Sequence, residues 1–500
     1  MESLPAISVV INTDGRCQAL ANTLDSLRYL DYPSFEVCVV PGPTEDGTRE
    51  LLAKLQGQIK VAACPVRNLS ISRNIGISLA AGGLVAFLDD DCLAEPEWLG
   101  DLEEAFRDPA VGGAGGIVYD HTGVRPQYLY SSANRLGQAD CARTRPADEF
   151  NFPFSFNFPY VQGTNCIFRR DALISVGGFD EEYEFYLDET DLCCRLVDAD
   201  FLVRQMPNAR VHHKFLPSEI RNEQRITRRR YAVVKNKIYF SIINNRGHYG
   251  LNRVVRDAVN FIEDHERDIR DHVEYGRLLP DDLSVFQADV DLAWETGMRR
   301  GLSGSRRLLR AETLQTYGAD YLEYPRPYPK DGRHTFCLIS PEYPPGKMGG
   351  LGRYLHRLAH SMALLGHHVH ILTDGTGHDR VDFEDSVWVH RIVPRSFQVP
   401  ELPDGKRIPQ RIWEHSAPML AEVEAIAKNR TVDCVYAPTW DCEGATLLQD
   451  GRFPLVTGLQ TTLDSWLSSQ PHQQAANLLS RAAHYAGVPI CRKAAELDLR

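Results

Sequence analysis

Three consecutive aspartates, Asp89, Asp90 and Asp91, close the apolar run VAFLDDDC. Like charges crowded at the end of a strand need a cation to compensate them. Alternate residues of an extended chain share a face, so Asp89 and Asp91 point one way together while Asp90 points the other. Carboxylate oxygens of that kind suit Mg²⁺ or Mn²⁺, which commonly bridge a protein carboxylate to substrate phosphates. An isolated acidic triplet reads equally well as a solvated turn after a buried strand, and the surrounding chain has to decide.

The elements that must position the triplet are those of an α/β domain. Residues 7–12, 35–40, 61–63 and 84–88 read as short apolar strands, and 19–30, 48–55 and 72–81 as amphipathic helices, the last capped by Ser70 or Ser72. Such a sheet is expected to be largely parallel, with ligands at the carboxyl ends of its strands. After residue 217 the strand signals fade into long charged helical stretches, opening with RNEQRITRRRYAVVKNKIYF. That basic segment, near 221–237, is a candidate for peripheral contact with anionic lipid or for a diphosphate acceptor, although a solvated helix face is the commoner explanation. A Tyr- and Pro-rich hinge ends at about residue 330, and a fresh strand, Gly-rich loop, helix and strand follow. The expected domains are therefore 1–217, a helical extension over 218–330, and a second α/β unit over 331–500.

Composition narrows the function classes. With 43% hydrophobic and 24% charged residues over 500 positions, the chain is of ordinary globular type, and a net charge of -12 speaks against nucleic acid as a partner. Twelve cysteines, without zinc-type CxxC pairs, read as reduced thiols. The start MESLPAISVVINT has no signal-peptide pattern and no run of about 18 apolar residues occurs, so the expected location is cytoplasmic, at most peripheral to the inner face of the membrane. The oligomeric state is left open.

The triplet has ordered companions: NLSISRN upstream, then VQGTNC, YLDETDLCCRL and VHHK downstream. Together they resemble the inverting glycosyltransferases of family 2, which have the GT-A fold, over roughly residues 5–240. The resemblance implies that Asp89, Asp90 and Asp91 bind a nucleotide-sugar and its Mn²⁺ or Mg²⁺, with Asp91 and Asp89 on the ion. It implies that His213 completes the metal site, with His212 as its alternative, and that Glu189, beside Asp188, is the base that activates an acceptor hydroxyl. Asp191 is the fallback base. Arg73 and Asn74 fall near the donor, and Gly163, Thr164 and Asn165 form the floor under donor sugar and acceptor. The family's acidic run after the second strand is replaced by Pro41 and Gly42, which leaves the nucleobase open, with Thr13 and Asp14 as alternative base contacts. The acceptor would be a glycan, free or carried on lipid or protein.

A second resemblance lies in FCLISPEYPPGKMGGLGRYLHRLAHSMALLGHHVHILT, which is similar to the amino-terminal half of family 4 glycosyltransferases of GT-B fold. It implies a phosphate or acceptor site at the backbone of Gly349 and Gly350. The family's nucleotide-binding second half would begin only after Arg500, and Gln460 stands before Thr461 where the family often has histidine, so the expectation is an amino-terminal piece of a bifunctional protein or, less favoured, a half-domain turned docking or acceptor-binding module. The expected whole is a GT-A domain, a helical middle segment and a Rossmann-like half of a GT-B fold, and the expected activity is metal-dependent sugar transfer in polysaccharide or glycoconjugate synthesis. Alternatives are a glycan-binding scaffold that retains only the folds, and a nucleotidyltransferase, for which the first domain lacks a basic Gly-rich loop.

Overall fold

Long apolar runs bury both faces of the central strands. The computed structural model describes residues 5–316, 320–329, 332–346, 348–398, 410–439 and 442–459. They fall into two compact units, Met1–Pro325 and Arg326–Arg500. In the first, β1 (Ile7–Thr13), β2 (Phe35–Pro41), β3 (Lys60–Val61) and β4 (Leu84–Asp89) run parallel in the order β3-β2-β1-β4. Strands covered on both faces read as near-continuous hydrophobic sequence, as ISVVINT and FEVCVVP do. Helices α1 (Cys17–Leu27), α2 (Thr48–Lys54) and α3 (Leu69–Leu79) make the connections. The cap of α3 is Asn68, whose Oδ1 accepts the Ile71 N–H at 2.9 Å, and neither Ser70 nor Ser72 fills that position.

Beyond β4 the sheet departs from the largely parallel expectation. The remaining strands are β5 (Cys92–Ala94), β6 (Val111–Tyr119), β7 (Pro126–Tyr128), β8 (Tyr130–Asn134), β9 (Ala139–Arg143), β10 (Asn157–Pro159), β11 (Asn165–Arg169) and β12 (Leu202–His213). β11 inserts antiparallel between β4 and β6, β12 runs parallel to β6, and β5 closes the edge antiparallel to β12. That last pairing sets His213 opposite Cys92 and so draws the chain after β12 back onto the aspartates. β8, β9 and β10 form a small separate sheet.

Helices α4 (Trp98–Glu103), α5 (Arg170–Ser175) and α6 (Asp188–Asp198) complete the layers, and then α7 (Tyr231–Ile243), α8 (Leu251–Glu274), α9 (Asp281–Ser303) and α10 (Ala311–Thr316) follow. The helical segment expected as an extension packs within the first unit: Tyr239 and Phe240 of α7 share a buried cluster with Phe87, Phe168 and Phe179. No helix among the described residues is long and apolar enough to cross a membrane.

The second unit is a Rossmann-like half. Its strands are β13 (Thr335–Ile339), β14 (His368–Asp374), β15 (Arg380–Glu384), β16 (Val387–Ile392), β17 (Cys434–Pro438) and β18 (Leu455–Gly458), in the order β15-β16-β14-β13-β17-β18. Among the described strands of this unit only the β15–β16 hairpin is antiparallel. Helix α11 (Gly350–Leu364) carries β13 over to β14.

The seat of α3 on the sheet is tight, because a Cβ on Gly76 would lie 2.3 Å from Val10 Cγ1. Gly76→Ala should therefore lift α3 off β1 and destabilise the first unit by about 1–3 kcal/mol, read as a drop of several degrees in melting temperature.

Candidate functional site

The aspartates leave β4 at the carboxyl end of the parallel strands and enter β5 directly. Asp91 is buried; its Oδ2 accepts the Leu216 N–H at 2.8 Å and Arg16 Nη1 at 3.0 Å. Its other oxygen, Oδ1, is buried without a hydrogen-bond partner and lies 3.5 Å from His213 Nε2. Asp89 Oδ2 is 3.9 Å from the same nitrogen. Because His213 Nδ1 donates to Gln127 Oε1 at 3.1 Å, the opposite face of the ring is turned to the two carboxylates. Burial alone would raise the Asp91 carboxyl; the nearby His213 imidazole and Arg16, with the Leu216 N–H, hold it well below the usual range.

Ligand-capable atoms of Asp89, Asp91, Cys92 and His213 lie within 4.8 Å of one another. A buried carboxylate oxygen without a donor, a second carboxylate and an imidazole fit a divalent ion such as Mn²⁺ or Mg²⁺. The Cys92 thiol fits less well, since burial pushes its ionisation up and keeps the sulfur protonated. His212 is turned elsewhere: its Nε2 meets Glu95 Oε1 at 2.7 Å and its ring stacks on Tyr119. Asp90 stands with Asp91 in the turn between β4 and β5, so the alternation expected of an extended chain does not hold there, and both carboxylates meet Arg16. Asp90 pairs with Arg16 Nη2 at 2.6 Å, and burial pushes its carboxyl up to about 7 against that pairing. Arg16, which bridges Asp90 and Asp91, is absent from the sequence-derived site; its only signal was a basic residue just after β1.

Asp188 and Glu189 open α6, and two consecutive non-glycine residues in the left-handed region, Tyr186 (φ 75°) and Leu187 (φ 66°), aim them. Arg73, buried between the rings of Phe87 and Phe179, donates to Asp188 Oδ2 and lies 3.8 Å from Glu189 Oε2. Gly163 makes room for it, since a Cβ there would come 2.3 Å from Arg73 Nη2. Asp188 is closed off, whereas the Glu189 side chain keeps 18% of its surface exposed. Burial, followed by the Asp188 charge, pushes Glu189 up to about 8, with Arg73 opposing. The result is a half-open carboxyl that changes protonation near neutrality, the property a general base needs.

Other sequence-derived candidates belong to the framework. Both oxygens of Asp191 are taken by Arg195, Arg306, Asn244 and Tyr183, so it has no lone pair directed at a substrate. Asn74 clamps the turn at Phe179 with its whole amide, and Asn165 joins Trp98 Nε1 to the carbonyls of Ile117 and Ala209. Thr164 has a buried hydroxyl without a partner. Thr13 ends β1 opposite Pro41, and Asp14 accepts Arg67 Nε at 2.9 Å on the wall of an open cleft of about 790 Å³. Asp46, the acidic residue retained after Pro41 and Gly42, caps its own loop through Thr44, Thr48 and the Cys17 N–H.

The helical segment supports the turn that leads into α6. Asn236 of α7 donates to the carbonyls of Phe185 and Tyr186 at 2.6 and 3.0 Å, and Lys235 to that of Glu182 at 2.5 Å. Most cations of the basic run expected to face lipid or a diphosphate acceptor are committed within the protein. Arg228 pairs with Asp282, Arg229 with Asp289, Arg230 with Asp268 and Lys237 with Asp257, and both lysines are buried. In the second unit the Gly349 N–H is likewise committed, donating to Glu342 Oε2 at 2.6 Å, so an anion there would have to displace a carboxylate; Gly350, next along, begins α11.

Residues 8–177 match the profile described as Glycosyl transferase family 2, and residues 348–496 that of Glycosyltransferase Family 4. The chain belongs to the glycosyltransferases, family 2 in its first unit and family 4 in its second. The family 2 unit is similar to the glucosyl-dolichyl phosphate glucuronosyltransferase of Haloferax volcanii, 28% identical over 227 residues, 42% of this chain and 69% of that protein. It is also similar to the pre-mycofactocin glycosyltransferase of Mycobacterium tuberculosis, 35% identical over 147 residues, 28% of this chain and only 29% of that protein's length. Among solved structures, a mannosyltransferase of Pyrobaculum calidifontis in complex with GDP-Man and Mn²⁺ aligns with 16% identity over 61% of this chain and 86% of that one, at a TM-score of 0.36. Within the family 4 unit, Gln460 and Thr461 lie outside the described residues.

The Arg73–Asp188 pair is the electrostatic hinge of this glycosyltransferase domain. Arg73→Met should strand the buried Asp188 charge and lower the stability of the first unit by about 3–5 kcal/mol, measured by urea denaturation. Asp188→Asn in the same background should restore part of the loss.

Proposed function

We propose that the family 2 unit transfers a sugar from a nucleotide-sugar to a hydroxyl of a glycan or glycoconjugate in one inverting displacement. The observation that carries this is the pairing of two unlike acidic sites: Asp89, Asp91 and His213 around an unpartnered buried oxygen, and the half-open Glu189 beside Arg73. Asp89, Asp91 and His213 would hold Mn²⁺ or Mg²⁺, which supplies a Lewis acid for the diphosphate that leaves. Glu189 takes the proton from the acceptor hydroxyl as that oxygen attacks the anomeric carbon. Arg73 holds Asp188 fixed beside it, and the Asp188 charge raises the basicity of Glu189. The two relatives are named for acceptors on a lipid phosphate and for pre-mycofactocin, which supports a glycoconjugate acceptor without selecting one.

Two measurements test this. Calorimetric titration with Mn²⁺ and a panel of nucleoside diphosphates should show metal-dependent binding that Asp91→Ala abolishes; binding that ignores both metal and Asp91 would favour a scaffold that retains the fold alone. Glu189→Gln should keep nucleotide affinity but lower kcat by at least ~100-fold.

A general base works only when deprotonated, and the Glu189 carboxyl is pushed up to about 8. The rate should therefore climb as pH rises through that value and level off above it, and Glu189→Gln should lose this limb. A wild-type rate that stays flat from about pH 6 to about pH 9 would remove Glu189 from the role.

A further inference from the structure

The basic segment before α7 turns most of its charges inward, but a second group of arginines, at the start of α8, stands beside exposed aromatic rings. Phe152 and Phe154 keep 53% and 55% of their surface in solvent, Leu251 keeps 47%, and Tyr249 is exposed as well. These side chains belong to one patch. The Phe156 ring meets those of His248 and Tyr249 at centroid distances of 5.4 and 5.2 Å, and His248 Nε2–H donates to the Phe154 carbonyl at 3.1 Å.

The framework holds the rings outward. Phe154 sits in the left-handed region at φ 60°, which is disfavoured for a bulky side chain. Its N–H donates to Asp198 Oδ1 at 3.0 Å, so both of its backbone polar groups are pinned. Asn151 anchors the start of the loop on the N–H and the carbonyl of Val203, each at 2.9 Å, and Ser155 Oγ donates to the Phe150 carbonyl at 3.0 Å. Rings held this rigidly in water lose little conformational freedom when they enter an apolar phase.

Charge selects that phase. The chain carries a net charge of -12, yet the acidic groups next to the patch are neutralised from within, Asp198 by Arg135 and Arg246, and Asp257 by the buried Lys237. Arg253 and Arg256 are exposed and form no ion pair among the described residues. The guanidiniums of Arg246 and Arg253 lie over the rings of Phe154 and Tyr249, each 5.7 Å from the ring centre. Helix α8 has no acidic residue in its first turn, so its positive pole adds to these cations. Exposed rings on a tight loop with arginines beside them match a bilayer, where the rings enter the interface and the guanidiniums meet lipid phosphates. A second copy of the chain would instead set the same cations against each other.

We propose that loop 151–156 and the start of α8 dock the first unit on an anionic phospholipid surface. β10 leads from this loop toward Gly163, which packs on Arg73 beside Glu189. That span is on the order of 30 Å at most, so the docked bilayer would lie close to the Glu189 site. Docking itself does not depend on the sugar-transfer reading.

Flotation of the full chain with vesicles of phosphatidylcholine, alone or with about 30% phosphatidylglycerol, tests this. Wild type should bind the anionic vesicles at least ~10-fold more tightly than the neutral ones, and added salt should weaken the binding. Phe152→Ser with Phe154→Ser should lower affinity for the anionic vesicles about 10-fold or more, whereas Phe152→Leu with Phe154→Leu should retain most of it. Arg253→Glu with Arg256→Glu should abolish the preference for anionic lipid. As surface substitutions, all three pairs should melt at the wild-type temperature; if the serine pair melts early, the glutamate pair on α8 decides. Failure of wild type to float with anionic vesicles, or flotation unchanged in the serine and glutamate pairs, would overturn the proposal. Loss of self-association rather than of flotation in the serine pair would overturn it too, and would assign the patch to a second copy.

Discussion

Carboxylates brought out of water must each find a positive partner, and the first unit is arranged around that requirement. Asp90 and Asp91 share Arg16, Asp188 has Arg73, and Asp191 has Arg195 and Arg306. The partners come from a loop, from α3, from α6 and from the segment after α9, so charge matching ties together elements far apart in sequence. The energies explain why none is dispensable. Removing one member of a buried pair costs about 3–5 kcal/mol, against a total folding stability on the order of 5–15 kcal/mol. Asp91 Oδ1 is the exception, a buried oxygen with an imidazole facing it and no donor of its own. Such an atom fits the cation site proposed above.

The second organising feature is strain. Tyr186 and Leu187 stand in the left-handed region, where side chains other than glycine are disfavoured by about 1–3 kcal/mol each. Asn236 holds the carbonyls of Phe185 and Tyr186, Lys235 holds that of Glu182, and the network of Arg306 and Asn244 on Asp191 fixes the first turn of α6. The sharp bend brings Glu189 toward solvent while Asp188 turns inward to Arg73, and in this way adjacent carboxyls acquire different surroundings.

Much of this was legible in the sequence where the signal was local. The strands were visible because burial on both faces leaves uninterrupted apolar runs, whereas the alternation rule does not hold at Asp90, because the turn between β4 and β5 sets it on the same arginine as Asp91. The proximity of His213 to the aspartates followed from the resemblance, and the antiparallel β5–β12 register supplies its physical cause. Long-range pairing was not legible. Arg16 stands 75 residues from Asp91 and Arg306 stands 115 from Asp191, and no periodicity encodes such partners. Asn74 and Asn165 look like ligand contacts in a motif, yet an amide has a fixed number of donors and acceptors, and here the framework takes them. The internal pairing of the basic run was hidden for a related reason, because its partners Asp257, Asp268, Asp282 and Asp289 lie on α8 and α9.

The clamp of α7 on the loop before α6 has a consequence for the order of assembly. The strands and α6 emerge from the ribosome well before Asn236, and the Arg306 contact to Asp191 closes a span of 115 residues. At ordinary rates of synthesis that interval is on the order of ten seconds. During it the nascent sheet can pair, while the bend at Tyr186 and Leu187 lacks the side chains that hold it. The pocket is thus finished from its carboxyl-terminal side, and the nascent domain gives Asp188 and Glu189 their different surroundings only after its sheet is already in place.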